Sequence, residues 1–472
     1  MKTTDFYIDG AWVAPSSLSD FSVIDPSTEE VCATISLAAA HDANNAVKAA
    51  RAAFPTWSCS SVETRIALLE KLYALYMERR SEMSRAIMQE MGAPINFATE
   101  AQFEAGSVHL EETIKVLREF KFEETTAKDY LFHEPIGIVA LITPWNWPMN
   151  QVILKVAPAL AAGCTIVLKP SEIAPLSSMV LAQMIDDADF PNGVFNLVNG
   201  DGPGAGATLS AHADIDMVSF TGSTRAGALI TKAAADTVKR VSLELGGKGA
   251  NIVFEDADDG AVTRGVLECF ENTGQSCNAP TRMLVHRSIY DQAIKTAVQV
   301  ASSHKVASAH EAGDHMGPVV GKAHWQKVQS MIQMGIDEGA RLIAGGPGRP
   351  DHLERGYFVK PTVFADVTND MQIAQQEVFG PVLVMIPFET EADAIQIANA
   401  TPYGLGSYIQ TQNHQRAMRV ARALRSGMVS INGGYLGIDT PFGGYKQSGN
   451  GREGSIWGLE EYLEIKAVTG ST

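Results

Sequence analysis

The chain has 472 residues, too many for one ordinary core, so two or three domains are expected. Its 54 acidic against 37 basic residues give a net charge of −17, which disfavours nucleic acid and anionic membrane as partners. The 45% hydrophobic and 19% charged residues describe a soluble globular protein. Five scattered cysteines without a CxxC pair argue against a disulfide framework or a metal cluster, and for a reducing, cytoplasmic compartment.

The N-terminal MKTTDFYIDG contains Asp5 and Asp9 and no apolar run, so it does not read as a signal peptide. Residues 41–120 read mostly as amphipathic helices, with Leu, Ala and Met at helical spacing in VETRIALLEKLYALYMERRSEM. The uncharged stretch 136–154 is long enough to raise the membrane question. Its Pro144, Asn146, Pro148, Asn150 and Gln151 instead predict a strand, a polar loop and a helix start. From there strands are predicted at 136–143, 164–169, 194–198, 216–220 and 240–245. Helices are predicted at 148–163, 175–188 and 223–236, with a short one after 200. That alternation is the pattern of an α/β, doubly wound parallel sheet. A second α/β series follows, with strands at 250–254, 281–286, 381–388 and 427–432 and helices at 258–272, 288–304 and 321–339. DYLFHE (129–134) and EYLEIKAV (461–468) alternate with period two and fit neither series. They read as surface hairpins or as strands that pair with another subunit.

Several strand ends carry chemistry. GDGPGA (200–205) satisfies G-x-G-x-x-A, but Pro203 and the extra Gly204 and Gly206 speak against a pyrophosphate cradle. FTGST (220–224) also ends a strand and opens a helix, and Ser223 reads equally as a plain N-cap or as a phosphate ligand. In LKPSE, Lys169 and Glu172 are suited to the two hydroxyls of a ribose, with a surface ion pair as the alternative. Glu172 would repel a 2′-phosphate and favour NAD over NADP. Glu244 in LELGGK sits at a strand end where burial would raise its pKa and suit it to general-base work, or where it merely caps a turn. In PWNWP, rigid neighbours hold the Asn146 amide where it can donate to an oxyanion, with an aromatic packing corner as the alternative. Cys277, in ENTGQSCNAP, has small neighbours that leave its sulfur reachable. Cys32, Cys59, Cys164 and Cys269 read as structural.

PWNWP, KPSE, FTGST, LELGGK, FENTGQSC, QEVFGP and PFGGYKQSGNGRE, in this order, resemble the motifs of the aldehyde dehydrogenase superfamily over nearly the whole chain. The likeness is to its NAD-linked, non-acylating bacterial members. It implies an NAD-binding domain at 1–124 and 136–245 and a catalytic domain at 246–434. It further implies a return segment at 435–454 and an oligomerisation arm at 125–135 and 455–472, in a homodimer or homotetramer. It implies Cys277 as nucleophile, Asn146 and the Cys277 backbone N–H as oxyanion donors, Glu244 as base and Lys155 as an aid to proton movement. For NAD it implies Ile142, Thr143, Pro144, Trp145, Lys169, Ser171, Glu172, Phe220, Gly222, Ser223, Leu245, Gly246, Glu377 and Phe379. Gln376 stands where the family often has a further acid. Relatives that pass the acyl group to coenzyme A generally lack a glutamate at the Glu244 position, so hydrolysis is favoured. The rivals are a coenzyme A-acylating enzyme, a cofactor-independent thiol esterase and a non-catalytic scaffold. Tyr435, Leu436, Ile438 and Trp457 are candidates for shaping the aldehyde pocket.

Overall fold

The computed structural model describes residues 2–470. Met1 and residues 471–472, assigned above to the ends of the first domain and of the arm, lie outside them. Two seven-stranded sheets form the body. In the first, the parallel strands run in the order Arg240–Glu244, Met217–Thr221, Ile138–Ile142, Thr165–Lys169, Phe195–Leu197. The chain leaves the central strand to one side and then crosses to the other. The carboxyl ends of Ile138–Ile142 and Met217–Thr221 therefore flank a topological switch point, where open sheets leave a crevice. Both faces of this sheet are covered. Val139 and Leu141 join one core cluster, and Ile138, Ala140 and Ile142 join another, as period-two alternation demands.

Helix ends follow local chemistry. Pro148 opens the helix Pro148–Ala162 at its first turn, and Gly163, at φ +96°, closes it in the left-handed region. The stretch of helical spacing at 62–83 spans two helices, Val62–Glu78 and Arg80–Met91, which meet at Arg79, whose backbone leaves the helical region.

The second sheet runs Arg341–Ala344, Thr362–Ala365, Val382–Phe388, Arg282–His286, Ala250–Val253, Gly406–Gln410, Met428–Ile431. All its pairings are parallel except the first. Three of these strands, at 341, 362 and 406, go beyond the sequence reading. So do the N-terminal strands Phe6–Ile8 and Ala11–Val13, which extend the first sheet antiparallel, and the hairpin Asp20–Asp25 with Glu30–Ser36. Most are only three to five residues long, while the hairpin strands alternate with period two (Phe21 and Val23; Val31, Ala33 and Ile35) but lie outside the two α/β series.

The two segments outside the α/β series are neither separate surface hairpins nor unpaired. Leu463–Thr469 pairs antiparallel with Asp129–Pro135 in the same chain, and Glu123–Thr125 lies on the other side. The partners are more than three hundred residues apart in sequence, so no local signal announces the pairing. Among the described residues, no helix is long and apolar enough to cross a membrane.

Candidate active site

The strands of the first sheet end at Ile142, Lys169, Thr221 and Glu244, and the loops after Ile142, Thr221 and Glu244 line a cleft facing the second sheet. Into this cleft the second series delivers Cys277. The helix Ala261–Phe270 ends in a turn where Asn272, Thr273 and Gly274 all take positive φ, at 52°, 58° and 69°. A β-branched Thr273 in that region is strained, and the surroundings hold it. Its Oγ1 donates to Gly317 O at 3.2 Å. Asn272 Nδ2 donates to Asn146 O at 2.9 Å, and Gln102 Nε2 donates to both Asn272 Oδ1 and Asn146 O at 3.1 Å. Gly274 has no room for a side chain, since a Cβ there would lie 2.2 Å from Gly380 O. Gln275 Oε1 accepts from Val320 N at 2.9 Å. Gln102, Asn272 and Gln275 thus position the cysteine loop; Asn272 and Gln275 belong to the FENTGQSC motif, whereas nothing in the local sequence marks Gln102 for it.

Asn146 is 3% exposed and gives one amide hydrogen to Gln275 O at 3.0 Å, leaving the other for the cleft it lines. Trp147 Nε1 donates to Ser276 Oγ at 2.8 Å, so the PWNWP loop is clamped to the cysteine loop on both sides. Cys277 is partly exposed, and its thiol is pushed up by burial and by the Glu377 and Glu244 carboxylates. Its carbonyl sits against Gly247, where a Cβ would come within 2.3 Å of it.

Glu244 is 2% exposed, and neither carboxyl oxygen has a hydrogen-bond partner among the described residues. Burial raises its pKa well above the carboxylate range and the Glu453 carboxylate adds to this. The charges of Lys155 and Arg452 oppose the rise without cancelling it. Lys155, from the helix Pro148–Ala162, is ion-paired with Glu453 and donates to Ser219 Oγ at 3.2 Å. Glu453 was not singled out in the sequence. It comes from the segment that returns to the first sheet, where Leu245 N donates to Ser448 O at 2.9 Å and Ser448 Oγ donates to Gly246 O at 2.7 Å.

The rest of the cleft wall is Pro144, Trp145, Thr221, Gly222, Ser223, Leu245, Gly246, His324, Lys327, Glu377 and Phe379. Ser223 caps the helix Thr224–Ala234, accepting from Ala226 N at 3.3 Å. Glu377 Oε1 accepts from Gly247 N at 2.9 Å, and burial raises its pKa against the pull of Lys327 and Lys248. Trp145 meets Phe379 edge-on at 5.4 Å and His324 at 5.2 Å. His324, absent from the sequence reading, donates from Nε2 to Phe379 O at 2.6 Å, and burial holds its pKa down to about 4.

Ile142 and Phe220 line an apolar groove farther along the same sheet edge. Lys169, 3% exposed, donates to Gly200 O at 2.6 Å and Pro170 O at 2.8 Å, with Glu172 Oε2 at 3.7 Å. The ion pair of the sequence reading is present, but the lysine end of it is buried. The glycine-rich 200–205 segment has its own anion, since Asp201 Oδ1 accepts from Gly204 N at 2.6 Å. Ser171 Oγ serves a local turn, accepting from Ile173 N at 3.3 Å, and Thr143 Oγ1 is buried without a partner. Tyr435 borders a second cavity and Leu436 and Ile438 a third; Trp457, in the short helix Ser455–Glu460, is 38% exposed.

The chain matches the family model described as the aldehyde dehydrogenase family over residues 12–468. A 3-succinoylsemialdehyde-pyridine dehydrogenase from Pseudomonas sp is 51% identical over 468 residues, covering 99% of this chain and 98% of that protein. The crystal structure of an aldehyde dehydrogenase from Bartonella henselae is 54% identical and covers 99% of both chains with a TM-score of 0.99. That of aldehyde dehydrogenase C from Pseudomonas syringae, a cysteine-to-alanine mutant with NAD+ and octanal, is 48% identical. It covers 99% of this chain and 97% of its own with a TM-score of 0.98.

Proposed function

The chain belongs to the aldehyde dehydrogenase family, and from that premise we propose that Cys277, Asn146 and Glu244 oxidise an aldehyde to its carboxylic acid. The observation that carries this reading is that Cys277 shares one cleft with Asn146, Ser223 and Glu377. The Cys277 thiol gives its proton to solvent, and the thiolate Sγ adds to the aldehyde carbonyl carbon to form a thiohemiacetal oxyanion. The free Asn146 N–H and the Cys277 backbone N–H hold its oxyanion. NAD, when bound, supplies the hydride acceptor, and loss of hydride leaves a thioester on Sγ. Glu244 takes a proton from water, the hydroxide attacks the thioester carbon, and the acid leaves as the thiolate returns. The Lys155–Glu453 pair beside Glu244 offers that proton a route away.

The residues fit a dinucleotide. The capped helix N-terminus at Ser223 suits an anionic pyrophosphate, with Gly222 beside it. Lys169 and Glu172 suit the adenosine ribose, Glu377 the second ribose, and Trp145 and Phe379 a flat ring. The NAD+ in the Pseudomonas syringae relative supports the same cofactor here. Glu172 argues for NAD over NADP. The unpartnered Glu244 favours water over coenzyme A as acyl acceptor.

The domain roles follow the first sheet for cofactor (1–124, 136–245) and the second for catalysis (246–434), joined by 435–454, with 125–135 and 455–472 as an arm. An open edge on Leu463–Thr469, with Ile465 exposed, supports a homodimer or tetramer. Five free cysteines support the cytoplasm.

The test is NADH formation from a panel of aldehydes with NAD and with NADP, for the wild type and Cys277→Ala. The variant is expected to lose turnover by at least about a thousandfold while binding NAD by calorimetry. A variant that turns over normally removes Cys277 from the mechanism, and acyl transfer only with coenzyme A present removes the role of Glu244.

A further inference from the structure

His324 lines the cleft, and no step above uses it. It stands in the first turn of the helix Lys322–Asp337, which is anchored close beside it. Trp325 Nε1 donates to Phe358 O at 2.8 Å. Val328, fully buried, packs against Gly380, where a Cβ would lie 2.8 Å from a valine methyl. The imidazole therefore reaches out from a fixed base.

Its partner is the carbonyl of Phe379, 2.6 Å from Nε2. A carbonyl oxygen only accepts, so Nε2 carries the hydrogen. Burial and the Lys327 charge hold the ring's pKa down to about 4, so it is neutral at neutral pH. Among the described residues, no other donor reaches this carbonyl.

Phe379 itself lies at φ +61°, in the left-handed region. A bulky aromatic residue is an outlier there and persists only where its surroundings hold it. What the strained residue achieves is visible in the cleft. Glu377 and Phe379 both face it, with Val378 buried between them. The Phe379 ring stands edge-on to Trp145, and the Glu377 carboxylate accepts from Gly247 N. The cysteine turn is held separately, through Gln102, Asn272 and Gln275. Loss of the hydrogen bond to Phe379 O would thus release the wall at 377–379 and leave the thiol and Glu244 in place.

We propose that His324 is a positioning residue: its Nε2–H clamps Phe379 in the left-handed conformation and so fixes Glu377 and the Phe379 ring against the reacting end of the dinucleotide. The proposal rests on the dinucleotide reading of the cleft. A wall fixed before the cofactor arrives loses no freedom when it binds, and it holds the hydride acceptor in one orientation.

Calorimetric titration with NAD and with ADP compares the wild type with His324→Leu and His324→Gln. Leucine has no donor, whereas the glutamine amide reaches as far as Nε2 and carries N–H groups. ADP ends before the second ribose, so it reports on the far half of the site alone. His324→Leu is expected to bind NAD about fivefold or more weakly and ADP as the wild type does. His324→Gln should recover most of the loss. In stopped flow at saturating NAD, first-turnover NADH formation should fall about tenfold or more in His324→Leu. Decay of a pre-formed thioester, which needs Glu244 and no hydride transfer, should keep its wild-type rate. Unchanged NAD affinity in His324→Leu overturns the proposal. So does a loss shared equally by ADP or by thioester decay, which marks general damage, and so does a loss that glutamine fails to repair. If His324→Leu does not fold, His324→Asn, whose shorter amide falls short of Phe379 O, takes its place with the same expectations. A wild type that binds NAD and oxidises no aldehyde fails the aldehyde-oxidising reading alone, and the two titrations still decide the clamp. A wild type that binds no NAD overturns both.

Discussion

The same surroundings raise the pKa of both Glu244 and Cys277. Burial is the larger cause in each, and the carboxylates add to it: Glu453 acts on Glu244, and Glu377 and Glu244 act on the thiol. A base must be ionised to take a proton, so a raised pKa moves its working range to higher pH. Hydrolysis of the acyl-enzyme is therefore expected to speed up with pH through a range above that of ordinary carboxylates. Stopped-flow decay of a pre-formed thioester across a pH series checks this. Glu244→Gln should slow the decay about a hundredfold or more and flatten the profile; a variant that keeps the wild-type profile excludes Glu244 as the base. The identity of both residues was legible in the motifs LELGGK and ENTGQSC. The pairing that tunes Glu244 was not, because Lys155 and Glu453 are 298 residues apart.

Among the elements, the buried Glu90 near the end of the helix Arg80–Met91 caps another helix, Leu176–Asp187, accepting from Leu176 N and from Ser177 N at 3.1 Å. Those backbone donors favour the charged carboxylate, yet burial outweighs them and lifts the pKa from 4.5 to about 7. The folded-state pKa is raised, so this group's contribution to stability is complete below pH 4.5 and is lost as pH rises through about 7. The loss is on the order of 3 kcal/mol at most. Thermal denaturation of wild type and Glu90→Gln between these pH values should show a falling Tm in the first and a flatter line in the second. Parallel slopes would mean that Glu90 is not the group that titrates. The helix Leu176–Asp187 itself was readable from apolar spacing at 175–188, whereas its cap comes from another helix and leaves no local trace.

For the whole molecule, the cleft exists only because three distant stretches meet. Gln102 reaches Asn272 across 170 residues, and the return segment staples Gly246 through Ser448. Among the described residues nothing pairs with one edge of the outer strand Leu463–Thr469, which shows Ile465 at 66% exposure. Such an edge is a template for another strand unless it is covered or charged. If the arm carries self-association, Ile465→Lys should shift the light-scattering mass towards the monomer without a change in circular dichroism. An unchanged mass would place the subunit contact elsewhere.

The amino-acid sequence by itself determined the two α/β series, most of their helix limits, and the chemical identity of the cleft residues. These depend on neighbours a few positions away: alternation in IGIVALIT, Pro148 and Gly163 at the ends of one helix, Ser223 as a cap. Tertiary structure alone decided that Asp129–Pro135 pairs with Leu463–Thr469 and that Asp201 occupies the glycine-rich loop's own donor. It also decided that His324 joins Trp145. A hydrogen bond or a burial-driven pKa depends on what packs alongside, and packing brings together residues whose separation in sequence carries no record of their contact.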